Sequence, residues 1–192
     1  LPFAKSPYAA TKIGADQIAQ SYYSTYNLPV SIIRPFNTYG PRQSNRAIIP
    51  TIITQLLANK KTIKLGSLYP TRDFSYISDT VKAFERTIGN KKSIGEIINI
   101  GSGYEVSIKN IVDILCKITN KSPNIVTEKN RVRPKKGEVF RLKANNIKAK
   151  KILNWKPMYS GKSGLIKGLK ETVEWFSNTS NLERYKTDHY VK

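Results

Sequence analysis

The chain has 192 residues, of which 33 are lysine or arginine and 13 are acidic, so its formal net charge is +20. Apolar residues make up 39% of it, with only 11 glycines and 10 prolines, which excludes a disordered tail and a collagen-like rod. A chain of this length can bury a core of its own and suits one domain, or one domain and part of another.

The first predicted elements are a helix, a buried strand and a long polar loop. Ser6 and Pro7 favour a helix start, because Ser caps the first amides and Pro lacks an N–H that had no partner there. The helix is predicted to end near Tyr26. A β-branched run at 30–34 indicates a strand, and the Asn, Gly, Pro and Ser residues within 35–48 are typical of a functional loop.

The remaining predicted elements alternate between helices and strands. Helices are predicted at 50–59, 78–88, 108–119, 146–153 and 164–177, and strands at 62–65, 74–77, 96–100, 124–127 and 139–142. This alternation predicts an α/β protein. The tail after Asn178 is predicted to be loose.

The sharpest chemical feature is the pair Tyr8 and Lys12 near the start of the first helix. Because they are four residues apart, they share one face of that helix. A tyrosine acts as a general base when its phenolate is stabilised, and a lysine ammonium one turn away stabilises it. The chain has 11 tyrosines and many lysines, so the same spacing also fits an ordinary aromatic–lysine surface pair.

Further motifs follow this pair in order along the chain. They are Arg34-Pro35-Phe36-Asn37-Thr38-Tyr39-Gly40-Pro41, Ile48-Ile49-Pro50, Arg72-Asp73-Phe74-Ser75-Tyr76-Ile77-Ser78-Asp79, Asn99-Ile100-Gly101, Arg133-Pro134 and Lys148-Ala149-Lys150-Lys151-Ile152-Leu153-Asn154-Trp155-Lys156-Pro157. Together with the segment 6–12, this ordered set resembles the extended short-chain dehydrogenase/reductase family, the NAD-dependent nucleotide-sugar epimerases and dehydratases. The resemblance implies the carboxyl-terminal part of a Rossmann-type parallel sheet and a smaller α/β substrate-binding domain.

The resemblance implies catalytic and cofactor roles for four residues. Tyr8 resembles the base that takes a proton from the sugar 4-hydroxyl, and Lys12 resembles the partner that stabilises its phenolate and holds the nicotinamide ribose. Pro35 and Phe36 resemble the turn that backs the nicotinamide ring. These four residues would therefore contact NAD.

Three further residues resemble those that hold the substrate in this family: Asn37, Arg72 and Arg133. Asn37 resembles the side chain that reaches the diphosphate, and the two arginines resemble those that grip it, which suits a planar, always-charged guanidinium. From the residues alone, Arg72 fits an ion pair with Asp73 equally well, and Arg133 fits a solvated loop charge. Asp73 is expected to orient a loop, and no metal ligand is predicted.

The resemblance also implies a domain organisation. Residues 1–35 would end an NAD-binding Rossmann domain, residues 36–178 would form the substrate-binding domain with 96–101 returning to the Rossmann sheet, and 179–192 would be a tail. In the family, a glycine-rich turn for the NAD pyrophosphate, and the acids that decide the reaction, precede the tyrosine. The sequence is therefore interpreted as a carboxyl-terminal fragment that is inactive on its own.

Three segments favour one branch of the family. The segments 37–44, 70–74 and 133–139 look most like 4,6-dehydratases that act on UDP-N-acetylglucosamine in bacterial legionaminic-acid-type pathways. A nucleotide-sugar 4-epimerase or decarboxylase is the alternative within the family. A homodimer that includes the first helix is implied as well.

The positive charge leaves a second class of function open, a basic, non-catalytic nucleic-acid-binding domain. Counting gives 24 lysines and 9 arginines, and the lysines are scattered in ones and twos, which is typical of a solvated surface. We therefore expect no nucleic-acid partner. The single cysteine, Cys116, fits a reducing compartment, and no apolar run approaches a membrane span, so a cytoplasmic protein without a membrane partner is expected.

Overall fold

The computed structural model describes residues 4–132, 134 and 137–185, and within them the chain has the predicted α/β fold. The α-helices are α1 (Pro7–Tyr26), α2 (Ile48–Leu57), α3 (Ile77–Thr87), α4 (Ile108–Thr119), α5 (Ile147–Leu153), α6 (Gly161–Ser177) and α7 (Thr179–Leu182). The strands are β1 (Ile32–Pro35), β2 (Asn37–Tyr39), β3 (Thr62–Leu65), β4 (Thr71–Tyr76), β5 (Ile97–Ile100), β6 (Glu105–Ser107) and β7 (Asn124–Thr127). Short 3-10 helices cover Lys91–Ser93 and Lys129–Arg131.

Helix α1 begins and ends where the sequence predicts. The Ser6 hydroxyl oxygen accepts from the N–H of Ala9 at 3.1 Å, and Asn27 ends the helix in the left-handed region with φ of 53°. No residue of α1 is buried. The helix is held against β1 by the carboxylate of Asp16, which accepts from Nε of Arg34 at 2.6 Å. It therefore lies on the surface of the described chain.

Three small sheets position the functional residues. β1 and β5 pair in parallel, with Ile33 opposite Ile98. In the second sheet β2 and β4 are parallel, and β6 adds to β4 in the antiparallel direction. In the third sheet β3 and β7 are parallel. The chain passes from the first sheet to the second at Phe36, between β1 and β2.

The buried apolar side chains form two clusters. The larger one packs α2, α4 and α6 against the second and third sheets and contains Tyr39, Leu115 and Phe176. The smaller one packs α3 and α5 against β5 and contains Ile98 and Trp155. The first sheet and its two helices thus have a core separate from the one beneath the other two sheets.

The predicted strand at 139–142 is wrong. This segment forms only an isolated parallel bridge, between Arg141 and Thr71. The carbonyl of Val139 accepts from the side chain of Arg72 at 2.6 Å, so it is used by a guanidinium where a strand would pair it with a backbone amide.

Two further segments differ from their prediction. The segment 35–48, predicted as a loop, contains the three-residue strand β2, and the tail after Asn178, predicted as loose, begins with α7. The domain boundaries 1–35, 36–178 and 179–192 stay predictions.

Candidate active site

A cavity of ≈ 340 Å³ opens beside the second sheet, the start of α2 and the end of β3. Its charged lining residues in the described chain are Arg46, Arg72, Arg131 and Glu138. The rest of the wall mixes polar and apolar side chains, among them Asn37, Gln43, Leu65, Phe74 and Ile108. An excess of guanidinium groups in a concave site suits an anionic ligand.

The structure brings two of the predicted substrate residues, Asn37 and Arg72, to this one cavity. The parallel pairing of β2 with β4 places Asn37 opposite Phe74, one strand away from Arg72. The Asn37 amide donates from Nδ2 to the carbonyl of Asp73 at 3.2 Å, which fixes the orientation of that side chain. Their roles in binding substrate stay predictions.

Arg72, which lines the cavity, donates hydrogen bonds to three acceptors. Its Nη1 donates to the carbonyls of Thr71 at 2.8 Å and Val139 at 2.6 Å, and its Nη2 donates to Oε1 of Glu138 at 2.9 Å. The side chains of Arg72 and Glu138 are 15% and 11% exposed. Its ion-pair partner is thus Glu138, and Asp73 is occupied elsewhere, so an anionic ligand would share Arg72 with a carboxylate.

Asp73 orients a turn, as expected from the sequence. Its side chain is fully buried, and Oδ1 accepts from the amide of Ser102 at 2.8 Å and from its hydroxyl at 2.7 Å. Oδ2 accepts from the amides of Gly103 at 2.9 Å and Ala144 at 3.1 Å. One carboxylate therefore joins β4 to the turn after β5 and to the segment that leads into α5.

Glu105 fixes β6 beside β4 at the same end of the sheet. Oε2 accepts from the hydroxyl of Thr71 at 2.9 Å, and the carboxylate also forms an ion pair with Arg141. The hydrogen bond from Arg141, helped by the one from Thr71, lowers the pKa of Glu105 from its usual 4.5 to about 2, although burial acts in the opposite direction. The hydrogen bond from Thr71 to the Glu105 carboxylate thus joins β4, the strand that carries Arg72, to β6.

Tyr8 and Lys12 lie on the exposed surface of α1 and share a face, as their spacing predicts. Tyr8 is 72% exposed, and the Lys12 ammonium nitrogen lies 5.4 Å from the centre of the Tyr8 ring. Among the described residues, Lys12 forms no ion pair with a carboxylate. Neither residue lines the cavity. The structure therefore brings this pair together outside the set of residues that line the cavity with Asn37 and Arg72.

Pro35 and Phe36 lie at the carboxyl end of β1. Pro35 pairs in register with Ile100, and the amide of Phe36 donates to the Ile100 carbonyl at 2.8 Å. Ligands of open α/β sheets bind at the carboxyl ends of parallel strands, so these two residues stand where the fold places ligands.

The cavity contains functional candidates that the sequence reasoning missed: Gln43, Arg46 and Arg131. Gln43 and Arg46 belong to a segment predicted only as a polar loop, and nothing in their spacing identifies them as lining residues. In the sequence, Arg131 comes two positions before the motif residue Arg133, which falls outside the described residues. The proximity of Arg131 to a predicted diphosphate residue is the one sequence signal that would have indicated it.

Neither a metal-ion site nor a membrane-spanning helix is found in the part of the chain that the structure describes. No group of three or more His, Cys, Asp or Glu side chains there is placed to hold a metal ion. Among the same residues, none of the helices combines the length and the apolar character needed to cross a membrane.

Residues 2–167 match a protein family described as GDP-mannose 4,6 dehydratase. The chain is 34% identical over 188 residues to human dTDP-D-glucose 4,6-dehydratase, a match that covers 93% of this chain and 51% of the relative. It is 35% identical over 184 residues to UDP-glucuronate 4-epimerase from Thermodesulfobacterium geofontis, covering 95% of this chain and 53% of the relative. The chain thus spans about half the length of these relatives.

Solved structures show the same relationship. dTDP-glucose 4,6-dehydratase from Bacillus anthracis in complex with NAD superposes with a TM-score of 0.81 and 30% identity, covering 91% of this chain and 53% of that one. UDP-glucuronic acid 4-epimerase from Bacillus cereus, with UDP-glucuronic acid and NAD, gives a TM-score of 0.81 and 32% identity, covering 91% and 54%. Both reactions occur among proteins of this fold.

The family match extends over the two sheets that carry Pro35, Asn37 and Arg72 and over the helix that carries Tyr8 and Lys12. The chain has the α/β architecture of the carboxyl-terminal portion of these Rossmann-type enzymes. The protein therefore belongs to the GDP-mannose 4,6-dehydratase-like family of NAD-dependent nucleotide-sugar dehydratases and epimerases.

Proposed function

We propose that this chain supplies the tyrosine–lysine pair and the diphosphate site of an NAD-dependent nucleotide-sugar 4,6-dehydratase acting on a UDP-sugar such as UDP-N-acetylglucosamine. The observation that carries the proposal is that Asn37 and Arg72, predicted from separate motifs, line one arginine-rich cavity. The similarity to a 4,6-dehydratase over 93% of the chain supports the reaction class. The choice of sugar rests on the segments 37–44, 70–74 and 133–139.

In the proposed reaction, Tyr8 takes the proton of the sugar 4-hydroxyl while carbon 4 loses a hydride. Lys12, with its ammonium 5.4 Å from the Tyr8 ring, stabilises the phenolate that this step requires. Asn37 and Arg72 hold the diphosphate and so fix the position of the sugar, while Arg133 is proposed as the second arginine of that grip. Water then leaves across carbons 5 and 6, and the hydride returns to carbon 6 while carbon 5 takes up one proton, which balances the proton removed from the 4-hydroxyl.

The residues present fit the nicotinamide end of NAD, the cofactor of the family. Tyr8 is 72% exposed and Lys12 carries no carboxylate partner among the described residues, so both are open to a ligand. Pro35 and Phe36 stand at the carboxyl end of a parallel strand. NAD, when bound, would accept the hydride from carbon 4 and give it back later in the cycle.

Binding of the nucleotide sugar tests the proposal directly. We expect the 192-residue chain to bind UDP-N-acetylglucosamine more tightly than dTDP-glucose or UDP-glucuronic acid in isothermal titration calorimetry. Arg72→Met should weaken this binding by about tenfold or more, because a charge-assisted contact is lost. Arg86→Met, on the exposed face of α3, is the matched control and should bind as the wild type does.

Folding of the variants is checked by thermal denaturation. Since Arg72→Met leaves Glu138 almost buried and unpaired, the double variant Arg72→Met, Glu138→Met separates loss of binding from loss of folding. Failure of the wild-type chain to bind any of the three nucleotide sugars contradicts the proposal. Preference for dTDP-glucose would reassign the substrate.

A 4-epimerase is the second candidate, because the chain is as similar to a UDP-glucuronate 4-epimerase as to a dehydratase. The two reactions differ in the mass of the product. The chain would be combined with the amino-terminal half of a homologous enzyme, NAD and UDP-N-acetylglucosamine. We expect a product that has lost one water; a new sugar that has the mass of the substrate but is separated from it by chromatography would establish epimerisation.

A homodimer formed through α1 is part of the proposal, as is a cytoplasmic location. The apolar side chains of Ile18, Tyr22 and Tyr26 are exposed on α1, and contiguous exposed apolar groups mark interaction surfaces. We expect light scattering to give the mass of a dimer, and the mass of a monomer would contradict this part of the proposal.

A further inference from the structure

One arginine of the cavity differs from the other two in its surroundings. Arg72 forms an ion pair with Glu138 at 2.9 Å, and Arg131 forms one with Glu128 at 2.5 Å. Arg46 lines the same cavity and, among the described residues, forms no ion pair with a carboxylate. Among the described residues that line this cavity, Arg46 is therefore the cation whose charge is not paired with a carboxylate.

Most N–H groups of the Arg72 guanidinium already donate hydrogen bonds within the protein. Its Nη1 donates to two backbone carbonyls and its Nη2 to Glu138, so the guanidinium has few N–H groups left for phosphate oxygens. A diphosphate presents two negative charges and several acceptor oxygens, which need more donors than this one side chain offers. The guanidinium of Arg46, a further lining residue of the cavity, supplies additional donors.

The position of Arg46 suits this task. It lies in the segment between β2 and α2, directly before Ala47, the residue that caps α2 without a side-chain hydrogen bond. The first residues of α2 line the cavity as well, so their free amides add positive potential at the same place. Because Arg46 is exposed, its side chain can turn towards a ligand without breaking an ion pair.

From these contacts we infer that Arg46 is a further phosphate-binding residue of the cavity, which contacts the diphosphate of the nucleotide sugar. The inference rests on the function proposed above and adds a binding residue to it. Arg46 then acts beside Arg72 and Arg133, whose roles in holding the diphosphate are proposed above.

Comparing a charged ligand with an uncharged one tests this role. Binding of UDP and of uridine to the wild-type chain, Arg46→Met and Arg46→Lys would be measured by isothermal titration calorimetry. We expect Arg46→Met to weaken UDP binding by about tenfold or more and to leave uridine binding within about twofold. Arg46→Lys, which keeps the charge but loses the planar fork, should lie between the two. The matched control Arg86→Met should alter neither affinity.

The outcomes separate this inference from the proposed function. If the wild type binds UDP and Arg46→Met binds it equally well, Arg46 has no phosphate role, although the cavity remains a nucleotide site. If UDP and uridine are weakened to the same extent, Arg46 shapes the cavity and the inference is overturned. If the wild type binds neither UDP nor UDP-N-acetylglucosamine, the proposed function fails and the inference fails with it.

Discussion

Arg72 and Asp73 are adjacent on β4, and their side chains serve different parts of the molecule. Successive side chains of a strand point to opposite faces, so Arg72 reaches the cavity wall while Asp73 is buried beside the turn after β5. This alternation excludes the ion pair between neighbours that the sequence left open. The partner of Arg72 is Glu138, which no local spacing could indicate because it lies 66 residues away.

The buried carboxylate of Asp73, which accepts four hydrogen bonds, should contribute to the stability of the fold. We expect Asp73→Asn to lower the free energy of unfolding by about 2 kcal/mol, because one side of the amide would present an N–H to backbone amides that need an acceptor. Urea unfolding measures this change. Asp113→Asn, at a partly exposed position of α4, is the control and should shift the midpoint little. Equal effects of the two substitutions would show that the buried hydrogen bonds of Asp73 contribute nothing.

Among the elements, those whose signals are local could be predicted from the sequence. Helix α1 has its cap and its stop within its own sequence, and the apolar runs of β1 and β5 are bounded by turn residues. Strands β2 and β6 have three residues each and pair with β4, which lies between them. They form through this pairing, so their own residues gave no sign of a strand. The same holds for the site: motifs indicated Asn37 and Arg72, whereas Arg46 lines the cavity only through tertiary packing.

The ion pair of Glu105 with Arg141, helped by the hydrogen bond from Thr71, should make the stability of the fold depend on pH. The pKa of Glu105 falls from 4.5 to about 2 on folding, so its contribution is fully present above about pH 4.5 and is lost as the pH falls towards 2. We expect the wild type to lose stability over this range more steeply than Glu105→Gln does, in thermal denaturation as a function of pH. Glu85→Gln, on the exposed face of α3, should follow the wild type. Parallel curves for all three would contradict the role of Glu105.

At the scale of the whole molecule, the charge of +20 and the cavity are separate features. The lysines are distributed over the entire chain, whereas the cavity concentrates arginines and contains a paired carboxylate. A scattered lysine surface attracts any polyanion weakly, through released counterions. A cavity with fixed donors selects one anionic group by geometry. The net charge is therefore a poor guide to the ligand of this protein.

Salt dependence distinguishes these two kinds of anion binding in one protein. For duplex DNA we expect the logarithm of the association constant to fall with the logarithm of the salt concentration by about 0.9 per phosphate contacted, so that binding disappears as salt is raised. Binding of UDP-N-acetylglucosamine should fall less steeply, because its diphosphate carries two charges and Arg72 is only 15% exposed and little screened. Gel shifts and calorimetry at low and high salt give the two slopes. DNA binding that survives high salt, with no binding of the nucleotide sugar at either concentration, would assign the protein to the nucleic-acid class.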